Sequence, residues 1–439
     1  MILSRPIKYC YGSNAVPDTT TRQDRLDTFM RKPARCAATV LVATLIPLLG
    51  AQNVLDLTKP DPQRAGMNAK HLELISARMK EYVEANKAAG MVTIVARHGR
   101  LASFEATGYQ NLETKIPMRK DSLFRIASLT KPVTCAGIMV LVDEGRIALV
   151  DPVDKYLPEY AGLKMKSCFG SSGYICQSIT PSRAINIEDL MTHTSGLPAG
   201  GPRGSSEPQT LAELVTQGAK SELLFEPGRQ WNYSNIGIDI LGRIIEVVSH
   251  QSFDEFLRSR LFDPLEMRDT FFFVPPDKQS RLATLYTYDH GKLTPAEAEW
   301  GSQHRTRIPL PAGGLVSTAS DMLRFNEMMR RGGTLDGKRV LSAAAVHLMT
   351  LSHTGDLPAG WSPGVGHGYG YEVVRQPAGM FRYNSLGTYV KGGAYRTYEW
   401  VDPEKDLTGV FMMQLTNGGG DVADPINSFM AISAAAIEP

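Results

Sequence analysis

The sequence has few cysteines, no metal-binding spacing and almost no net charge. Its five cysteines form no Cys-x-x-Cys pair, and its nine histidines include no His-Glu-x-x-His spacing. The common zinc-site patterns are therefore absent, and we expect neither a metal ion nor another cofactor. A net charge of +2 provides no basic surface, so we do not expect a nucleic-acid partner.

The sequence also lacks internal repeats, a long apolar run and the Gly-x-Ser-x-Gly motif. The apolar run at residues 36–50 is shorter than the ~20 residues of a membrane span and contains Pro47, so we expect no stable membrane anchor. Absence of the Gly-x-Ser-x-Gly nucleophile elbow disfavours an α/β-hydrolase. What remains is ordinary globular composition, in a chain of 439 residues that is long enough for a large core in two lobes.

The first 52 residues differ in character from the rest. Residues 30–35 are basic, residues 36–50 are apolar, and the small residue Ala51 follows. That order predicts a secretory signal peptide that begins at Met30. We therefore expect a leader over residues 1–52, a folded domain over residues 53–439 and a periplasmic or secreted protein. Amino-terminal sequencing of the exported protein tests this interpretation, which fails if the mature chain retains residues 1–29.

Export would permit disulfide bonds. Cys168 and Cys176 lie in one Gly/Ser-rich segment and are close enough in sequence to close a short ring. Spacing does not establish the geometry of a bridge, so both the bridged and the free state stay open. Cys10 and Cys36 belong to the leader, and Cys135 is expected to be a small core residue.

Hydrophobic periodicity predicts strands towards both ends of the domain and helices between them. A helix over 68–89 precedes a hairpin with strands at 91–97 and 101–107, and a buried helix follows over 128–144. Further helices are predicted at 187–192, 210–219, 235–250, 252–261, 320–332 and 342–351, strands at 370–375, 381–390, 395–402 and 408–415, and a last helix at 425–436. We expect a sheet lobe (about 60–150 and 365–439), an inserted helical lobe (about 151–360) and a cleft between them.

The stretch Ser128-Leu129-Thr130-Lys131 places a hydroxyl and an amine three residues apart at the start of an apolar helical pattern. Residues three apart share one face of a helix, so the Lys131 amine can reach the Ser128 hydroxyl and take its proton. Such a pair makes a serine nucleophile without a histidine. A Ser-x-x-Lys pair also arises by chance about once in a chain this long, so a solvated helix start is the alternative.

A second candidate segment, Tyr233-Ser234-Asn235, directly opens a predicted helix. A neighbouring ammonium group lowers the pKa of a phenol, so Tyr233 near Ser128 can act as a general base while Lys131 stabilises its charge. Asn235 offers an amide that can orient Lys131 or a substrate carbonyl. The alternatives are a surface or packing tyrosine, and an Asn235 that caps the helix.

The third candidate segment, Lys391-Gly392-Gly393-Ala394, lies between two β-rich segments. Glycine inside a strand is unfavourable, and two together indicate the close approach of another group, here the acyl part of a substrate. The N–H groups of Ala394 and Ser128 can then hold a developing oxyanion. Lys391, Gly392, Gly393 and Ala394 are therefore candidate substrate-binding residues. A bulge or hairpin kink is the alternative.

In chain order, the Ser-x-x-Lys, Tyr-x-Asn and Lys-x-Gly motifs resemble those of the serine β-lactamase and penicillin-binding-protein superfamily. The chain is most similar to class C β-lactamases and the related family VIII carboxylesterases and D-aminopeptidases. The flanking segments 190–197, 225–228, 313–318 and 400–403 resemble the same group. The resemblance therefore extends from about residue 60 to the C-terminus.

The resemblance implies an α+β fold, an α/β sandwich in which an antiparallel sheet is flanked by helices and carries an inserted, mainly helical lobe. It further implies that Ser128 is acylated, that Lys131 and Tyr233 move its proton, and that water releases the acyl group. Tyr233 in the second motif points to the tyrosine-based chemistry rather than that of class A. The expected partner is a small ester, amide or β-lactam substrate.

The third motif departs from the family pattern. Class C β-lactamases usually carry Lys-Thr-Gly, and many esterase-like relatives have an aromatic residue or histidine before Gly-Gly. Lys391 keeps a cation for a β-lactam carboxylate, whereas Gly392 removes the threonine hydroxyl. Three functions stay open: a serine hydrolase (carboxylesterase or β-lactamase), a penicillin-recognising sensor that acylates without turnover, and a D-amino-acid peptidase or transpeptidase. The oligomeric state is not indicated.

Overall fold

The computed structural model describes residues 54–169, 175–200, 208–298, 308–416 and 424–438. The predicted leader, with its signal peptide, Cys10 and Cys36, lies outside these ranges. Among the described helices, none has the length and apolar character needed to cross a membrane. The leader and the boundaries of the two lobes stay predictions.

The helices and strands are numbered in chain order. The helices are α1 (Ala69–Glu84), α2 (Thr130–Asp143), α3 (Ile187–Met191), α4 (Leu211–Gly218), α5 (Asn235–Ser249), α6 (Phe253–Leu257), α7 (Ala319–Arg330), α8 (Ala343–Thr350) and α9 (Asp424–Ala435). The strands are β1 (Gly90–Arg97), β2 (Arg100–Asn111), β3 (Ile116–Pro117), β4 (Phe124–Arg125), β5 (Met165–Phe169), β6 (Ile175–Ile179), β7 (Tyr286–Asp289), β8 (Lys292–Pro295), β9 (Val316–Ser317), β10 (Thr334–Leu335), β11 (Lys338–Arg339), β12 (Val365–His367), β13 (Glu372–Val374), β14 (Tyr389–Gly392), β15 (Tyr398–Asp402) and β16 (Leu407–Met413).

One antiparallel sheet joins the two ends of the domain. Its strand order within the described residues is β12-β13-β14-β15-β16-β1-β2-β3. Strand β1 pairs with its hairpin partner β2 on one side and with β16 on the other, with Met91 opposite Met413. The predicted α+β fold, with a sheet built from both chain ends and a mainly helical insertion, is therefore confirmed.

Alternate residues of β1 enter two different hydrophobic cores. Val92 and Ile94 join the core that contains α2 and α5, whereas Met91 and Val95 join the core formed with α1 and α9. This alternation is expected for a strand that is buried on both faces, since successive side chains point to opposite sides. The sheet thus has helices on both faces: α7 contacts β1, β15 and β16, whereas α1 contacts β2 and α9 contacts β16. Helix α2 packs against α5, α6 and α8.

The structure corrects several predicted elements. The predicted helix over 128–144 begins at Thr130, after a 3₁₀ turn over Ala127–Leu129. The strand predicted over 381–390 is wrong in its first part: Phe381 lies in a 3₁₀ turn and the strand begins only at Tyr389. Gly387 has a positive φ of 78°, and the Ser385 N–H donates to the Asp402 carboxylate, so this stretch turns instead of extending.

The hairpin β5–β6, which the sequence patterns did not predict, contains a disulfide bond. Cys168 and Cys176 are directly opposite each other in its register, and their sulfurs are bonded at 2.07 Å. Of the two open states, the bridged one is therefore present. Cys135 is a buried free thiol in the core around α2, as predicted, and burial raises its pKa to about 12.

Candidate active site

Residues Ile126–Ser128, which end in the candidate nucleophile Ser128 and are called the nucleophile turn below, have a strained conformation. Ala127 has a φ of 47°, in the left-handed region that residues with a side chain rarely adopt. The Thr130 hydroxyl donates to the Ala127 carbonyl at 2.7 Å, and the Thr397 hydroxyl donates to the Ile126 carbonyl at 2.9 Å. These bonds fix the turn from helix α2 and from the β14–β15 connection, so Ser128 has a defined position at the helix start.

Lys131 lies in the first turn of α2 and is fully buried. Its Nζ donates to Ser128 Oγ at 3.0 Å, to Asn235 Oδ1 at 2.8 Å and to the Ala312 carbonyl at 2.6 Å. Burial lowers the pKa of Lys131, and the Lys391 cation lowers it further, whereas Tyr233 acts in the opposite direction. All three ammonium donors are thus directed at fixed acceptors, one of which is the hydroxyl of the candidate nucleophile Ser128.

Tyr233 approaches Ser128 from the start of α5. Its hydroxyl donates to Ser128 Oγ at 2.8 Å. The ammonium nitrogens of Lys131 and Lys391 lie 4.7 and 5.0 Å from the centre of its ring. Burial alone would raise the pKa of Tyr233, but the two cations and the hydrogen bond with Ser128 lower it to about 8. A phenol with that pKa is suited to act as a base near neutral pH.

Asn235 orients Lys131 and does not cap α5. The N-cap is Ser234, whose Oγ accepts from the Gly237 N–H at 3.1 Å, so the suggested N-cap role of Asn235 is wrong. A serine one residue earlier satisfies the helix end, which leaves the Asn235 amide oxygen available to Lys131.

The segment Lys391–Ala394 lies against the nucleophile turn. Lys391 is buried on β14, and a Cβ on Gly393 would lie only 2.5 Å from the Ile126 carbonyl oxygen. Ala394 is exposed in the turn that follows, which the Gly393 carbonyl closes by accepting from Arg396 N–H at 3.0 Å. Thus Ser128, Lys131, Tyr233 and Asn235 form one hydrogen-bonded group, with Lys391 beside it. Oxyanion donation by Ser128 and Ala394 stays a prediction.

The sequence model of the family named Beta-lactamase matches residues 75–429. The chain belongs to the β-lactamase family. Within it, the Mycobacterium tuberculosis protein Rv1367c is 36% identical over 363 residues, which are 77% of this chain and 88% of that protein. Esterase EstB of Burkholderia gladioli is 27% identical over 395 residues, 81% of this chain and 93% of the esterase.

A solved structure supports the fold. EstCE1, described as a hydrolase with promiscuous acyltransferase activity, superposes with a TM-score of 0.68 at 23% identity, and covers 84% of this chain and 98% of its own. The predicted membership of the serine β-lactamase and penicillin-binding-protein superfamily is confirmed, and the protein is a hydrolase of that superfamily.

Two residues of this β-lactamase-family site were missed by sequence reasoning. Asp239 is buried on α5, and its carboxylate accepts from the Ala312 N–H at 2.9 Å, so it holds the residue whose carbonyl binds Lys131. Burial raises the pKa of Asp239 to about 7. Its position four residues after Asn235, among isoleucines and leucine, is the signal that the sequence offered. The role of the Ala312 carbonyl had no signal in the sequence, because every residue has a backbone carbonyl.

The aromatic surroundings of Tyr233 were also not anticipated. His193 lies 4.5 Å from the Tyr233 ring centre, and the largely exposed Trp361 lies 5.4 Å from it. Trp231 contacts both neighbours at 6.2 and 5.6 Å between ring centres. These rings form an aromatic wall beside Tyr233. Within the described ranges, no three His, Cys, Asp or Glu side chains are grouped as metal ligands would be.

The two neighbouring glycines of the third motif should respond differently to substitution. In Gly393→Ala the new Cβ would lie 2.2 Å from Thr397 Oγ1 and 2.5 Å from the Ile126 carbonyl oxygen, so the nucleophile turn must shift. We expect kcat for ester hydrolysis to fall at least about tenfold, since small displacements of a reacting group have large effects. Gly392→Ala is the matched control, because its Cβ meets the Tyr398 ring at an ordinary 3.4 Å. Equal losses in both variants would contradict this account.

The buried carboxyl of Glu399, on the strand next to that of Lys391, should make the free energy of unfolding depend on pH. Glu399 lies opposite Lys391 on β15, and its carboxyl accepts from Asn326 Nδ2 at 3.2 Å. Burial raises its pKa from 4.5 to about 8, although Asn326 and Lys391 act in the opposite direction. As pH rises, the Glu399 carboxyl therefore loses its proton at a lower pH in the unfolded chain than in the folded protein. The contribution of Glu399 to the free energy of unfolding is complete below pH 4.5 and is lost as the pH rises to about 8.

Replacing Glu399 with glutamine should reduce this pH dependence. Each unit of pKa difference corresponds to about 1.4 kcal/mol, so the wild type should lose a few kcal/mol of unfolding free energy between about pH 5 and 8. Glu399→Gln should lose less over that interval, because its amide does not ionise. Urea unfolding at both pH values measures the difference, with the exposed Glu73→Gln as the control. An unchanged slope in Glu399→Gln would show that the buried carboxyl is not the cause.

Proposed function

We propose that this protein is a serine hydrolase that cleaves small acyl esters, and less efficiently amides and β-lactams, through an acyl-enzyme on Ser128. The observation that carries the proposal is the contact of Ser128 Oγ with both Lys131 Nζ, at 3.0 Å, and Tyr233 OH, at 2.8 Å. The likeness to esterase EstB supports the ester preference.

In the acylation step, the Tyr233 phenolate takes the proton of Ser128 as Oγ attacks the substrate carbonyl. Lys131 and Lys391 stabilise the phenolate, because both ammonium groups lie within about 5 Å of the ring. The carbonyl π electrons move to oxygen, where the N–H groups of Ser128 and Ala394 hold the negative charge. Tyr233 then donates its proton to the leaving alkoxide or amine as the bond to the acyl group breaks.

In the deacylation step, water replaces the leaving group beside Tyr233. The phenolate takes a proton from this water, hydroxide adds to the acyl carbonyl, and collapse of the adduct returns the proton to Ser128 Oγ. Acid and base roles therefore alternate on one phenol whose pKa of about 8 serves both directions. A base that can activate water argues against a sensor that acylates without turnover.

A substrate panel tests the proposal. Wild-type protein is assayed on p-nitrophenyl acetate and butyrate, on a chromogenic cephalosporin and on a D-alanyl-D-alanine peptide. We expect the esters to give the highest kcat/KM. Cephalosporin turnover above that of both esters would favour a β-lactamase, and peptide cleavage above both would favour the D-amino-acid peptidase. A stoichiometric adduct without turnover would identify the sensor, and no reaction with any of them would refute the proposal.

The β-lactamase alternative rests on the retained cation at Lys391, and a variant can test what its neighbour contributes. A Cβ at Gly392 would meet Tyr398 ring atoms at 3.4 and 3.6 Å, which is ordinary van der Waals contact, so this position accepts a Cβ. Gly392→Thr restores a hydroxyl, and we expect cephalosporin kcat/KM to rise about tenfold, within the range for a hydrogen bond to a charged group. Gly392→Ala changes the backbone in the same way without the hydroxyl. Equal rates for these two variants would contradict the expectation.

We also propose that the protein is exported to the periplasm or secreted. The Cys168–Cys176 disulfide supports this location, since such bonds persist in oxidising compartments. Fractionation of the native host, followed by amino-terminal sequencing, tests it. Recovery of the full activity in the reduced cytosolic fraction would contradict it.

A further inference from the structure

His193 holds the chain on both sides of Tyr233. Its backbone carbonyl accepts from the Asn232 N–H at 2.9 Å, and its ring Nδ1 accepts from the Ser234 N–H at 3.3 Å. Its ring also packs directly on Tyr233, with 4.5 Å between ring centres. One buried residue therefore contacts Tyr233 and binds the residue before it and the residue after it.

The backbone of His193 is itself unusual. Its φ is 60°, in the left-handed region that residues with a side chain adopt uncommonly. This conformation directs the carbonyl and the ring of the same residue towards one short segment. The neighbouring residue Thr194 accepts at its carbonyl from Gly228 N–H at 2.8 Å, which ties the loop to the chain that leads to Tyr233.

The ring of His193 serves as a neutral acceptor. Burial lowers its pKa well below the ordinary value of 6.5, and the cations of Lys391 and Lys131 and the ring of His367 act in the same direction. With Nδ1 accepting from Ser234, the single ring proton lies on Nε2. His193 therefore stays uncharged at neutral pH, and it does not compete with Tyr233 for the proton of Ser128.

We propose that His193 is a positioning residue for Tyr233, and that its Nδ1 hydrogen bond to Ser234 fixes the phenol against Ser128 and between the two lysines. This inference rests on the proposed function, in which Tyr233 is the base. The groups that face the phenol are Ser128 and Lys131 from α2 and its preceding turn, Lys391 from β14, and His193 and Trp361 from two loops. A ring displaced from this position moves away from both cations.

Two variants separate the hydrogen bond from the packing. His193→Asn keeps an acceptor close to the position of Nδ1 and tolerates a positive φ, but it loses the ring. His193→Phe keeps an aromatic ring against Tyr233 and loses the acceptor. We expect His193→Phe to lower kcat about tenfold, a part of the ~10²–10⁴-fold that a placed general base supplies, with KM little changed. We expect kcat of His193→Asn to stay within about threefold of the wild type.

The pH profile of kcat gives a result that a merely structural role would not produce. In the wild type, the rising limb should follow the Tyr233 phenol, with a pKa of about 8. In His193→Phe the phenol is farther from Lys131 and Lys391, so the limb should move towards the ordinary value of 10.0. In His193→Asn it should stay in place. Equal losses in both variants with an unmoved limb would overturn the inference, as would a larger loss in the asparagine variant.

Circular dichroism and thermal unfolding establish that each variant is folded. If His193→Phe does not fold, His193→Ala takes its place, because it removes the acceptor without adding bulk, and the same results decide. Tyr233→Phe is measured in parallel. Wild-type kcat in Tyr233→Phe would refute the proposed function and this inference together. Loss of kcat in Tyr233→Phe, with wild-type kcat and pH profile in His193→Phe, would refute only the role of His193.

Discussion

Replacing Ser128 with alanine should abolish ester hydrolysis, with kcat/KM reduced by about 10⁴-fold or more. The substitution removes Ser128 Oγ, the atom to which both the Lys131 ammonium group and the Tyr233 hydroxyl donate hydrogen bonds. The remaining Lys131 contacts, to Asn235 and Ala312, stay intact, so the fold should be preserved. Initial rates on p-nitrophenyl butyrate measure the loss.

Mass spectrometry makes the same prediction sharper. After exposure to a slowly released acyl donor, the wild type should carry one acyl group on the peptide that contains Ser128, and Ser128→Ala should carry none. Ser249→Ala is the control, since Ser249 ends α5 and its hydroxyl accepts a local bond from Gln251 N–H. An adduct on Ser128→Ala, or hydrolysis near the wild-type rate, would refute Ser128 as the nucleophile.

Replacing Lys131 with methionine should lower kcat by about 10²–10⁴-fold, because it removes the cation that stabilises the Tyr233 phenolate and the donor that orients Ser128. Methionine keeps most of the length of the side chain without the charge. The pKa of Tyr233 should rise from about 8, since Lys131 is the first of the two cations that lower it. The rising limb of the pH profile should therefore move to higher pH.

The Lys131→Met variant should also be less stable. Loss of the Lys131 ammonium group leaves Asn235 Oδ1 and the Ala312 carbonyl without this donor. Each unsatisfied buried acceptor lowers the free energy of unfolding by about 1–3 kcal/mol. Removal of a buried cation offsets part of this cost. Lys80→Met, on the exposed face of α1, is the control. A wild-type kcat and an unmoved pH limb in Lys131→Met would refute the role of the amine.

One pair of the site followed from spacing along the chain. Ser128 and Lys131 share a helix face because they are three residues apart, and this relation depends on local geometry alone. The predicted hairpin between β1 and β2 is equally local, and it is present. Tyr233 and Lys391 could be connected to Ser128 only through the family resemblance, since Tyr233 is 105 positions from Ser128, Lys391 is farther still, and no local rule relates residues so distant.

The rest depended on contacts that no sequence pattern records. Asn235 was assigned two roles, and only the position of Ser234 as N-cap decides between them. Asp239 acts on Lys131 through a backbone group of Ala312, which has no side-chain signature. The error at 381–390 arose because apolar and aromatic residues there suggested a strand, whereas Gly387 and the hydrogen bond from Ser385 to Asp402 produce turns.

The hydrogen bond from Thr397 to the nucleophile turn bears on the order in which a newly made chain folds. The Thr397 hydroxyl donates to the Ile126 carbonyl across 271 positions of sequence, and β1 pairs with β16, which is synthesised much later. A growing chain that has already released Ser128 and Lys131 from the ribosome therefore still lacks Thr397 and β16. Contacts between residues this distant in sequence are slow to form, because the loop-closure entropy must be overcome first. Under the proposed function, we therefore expect no ester hydrolysis until strands β14–β16 have docked, and we expect a C-terminal truncation that removes these strands to abolish activity while Ser128 and Lys131 remain in the chain.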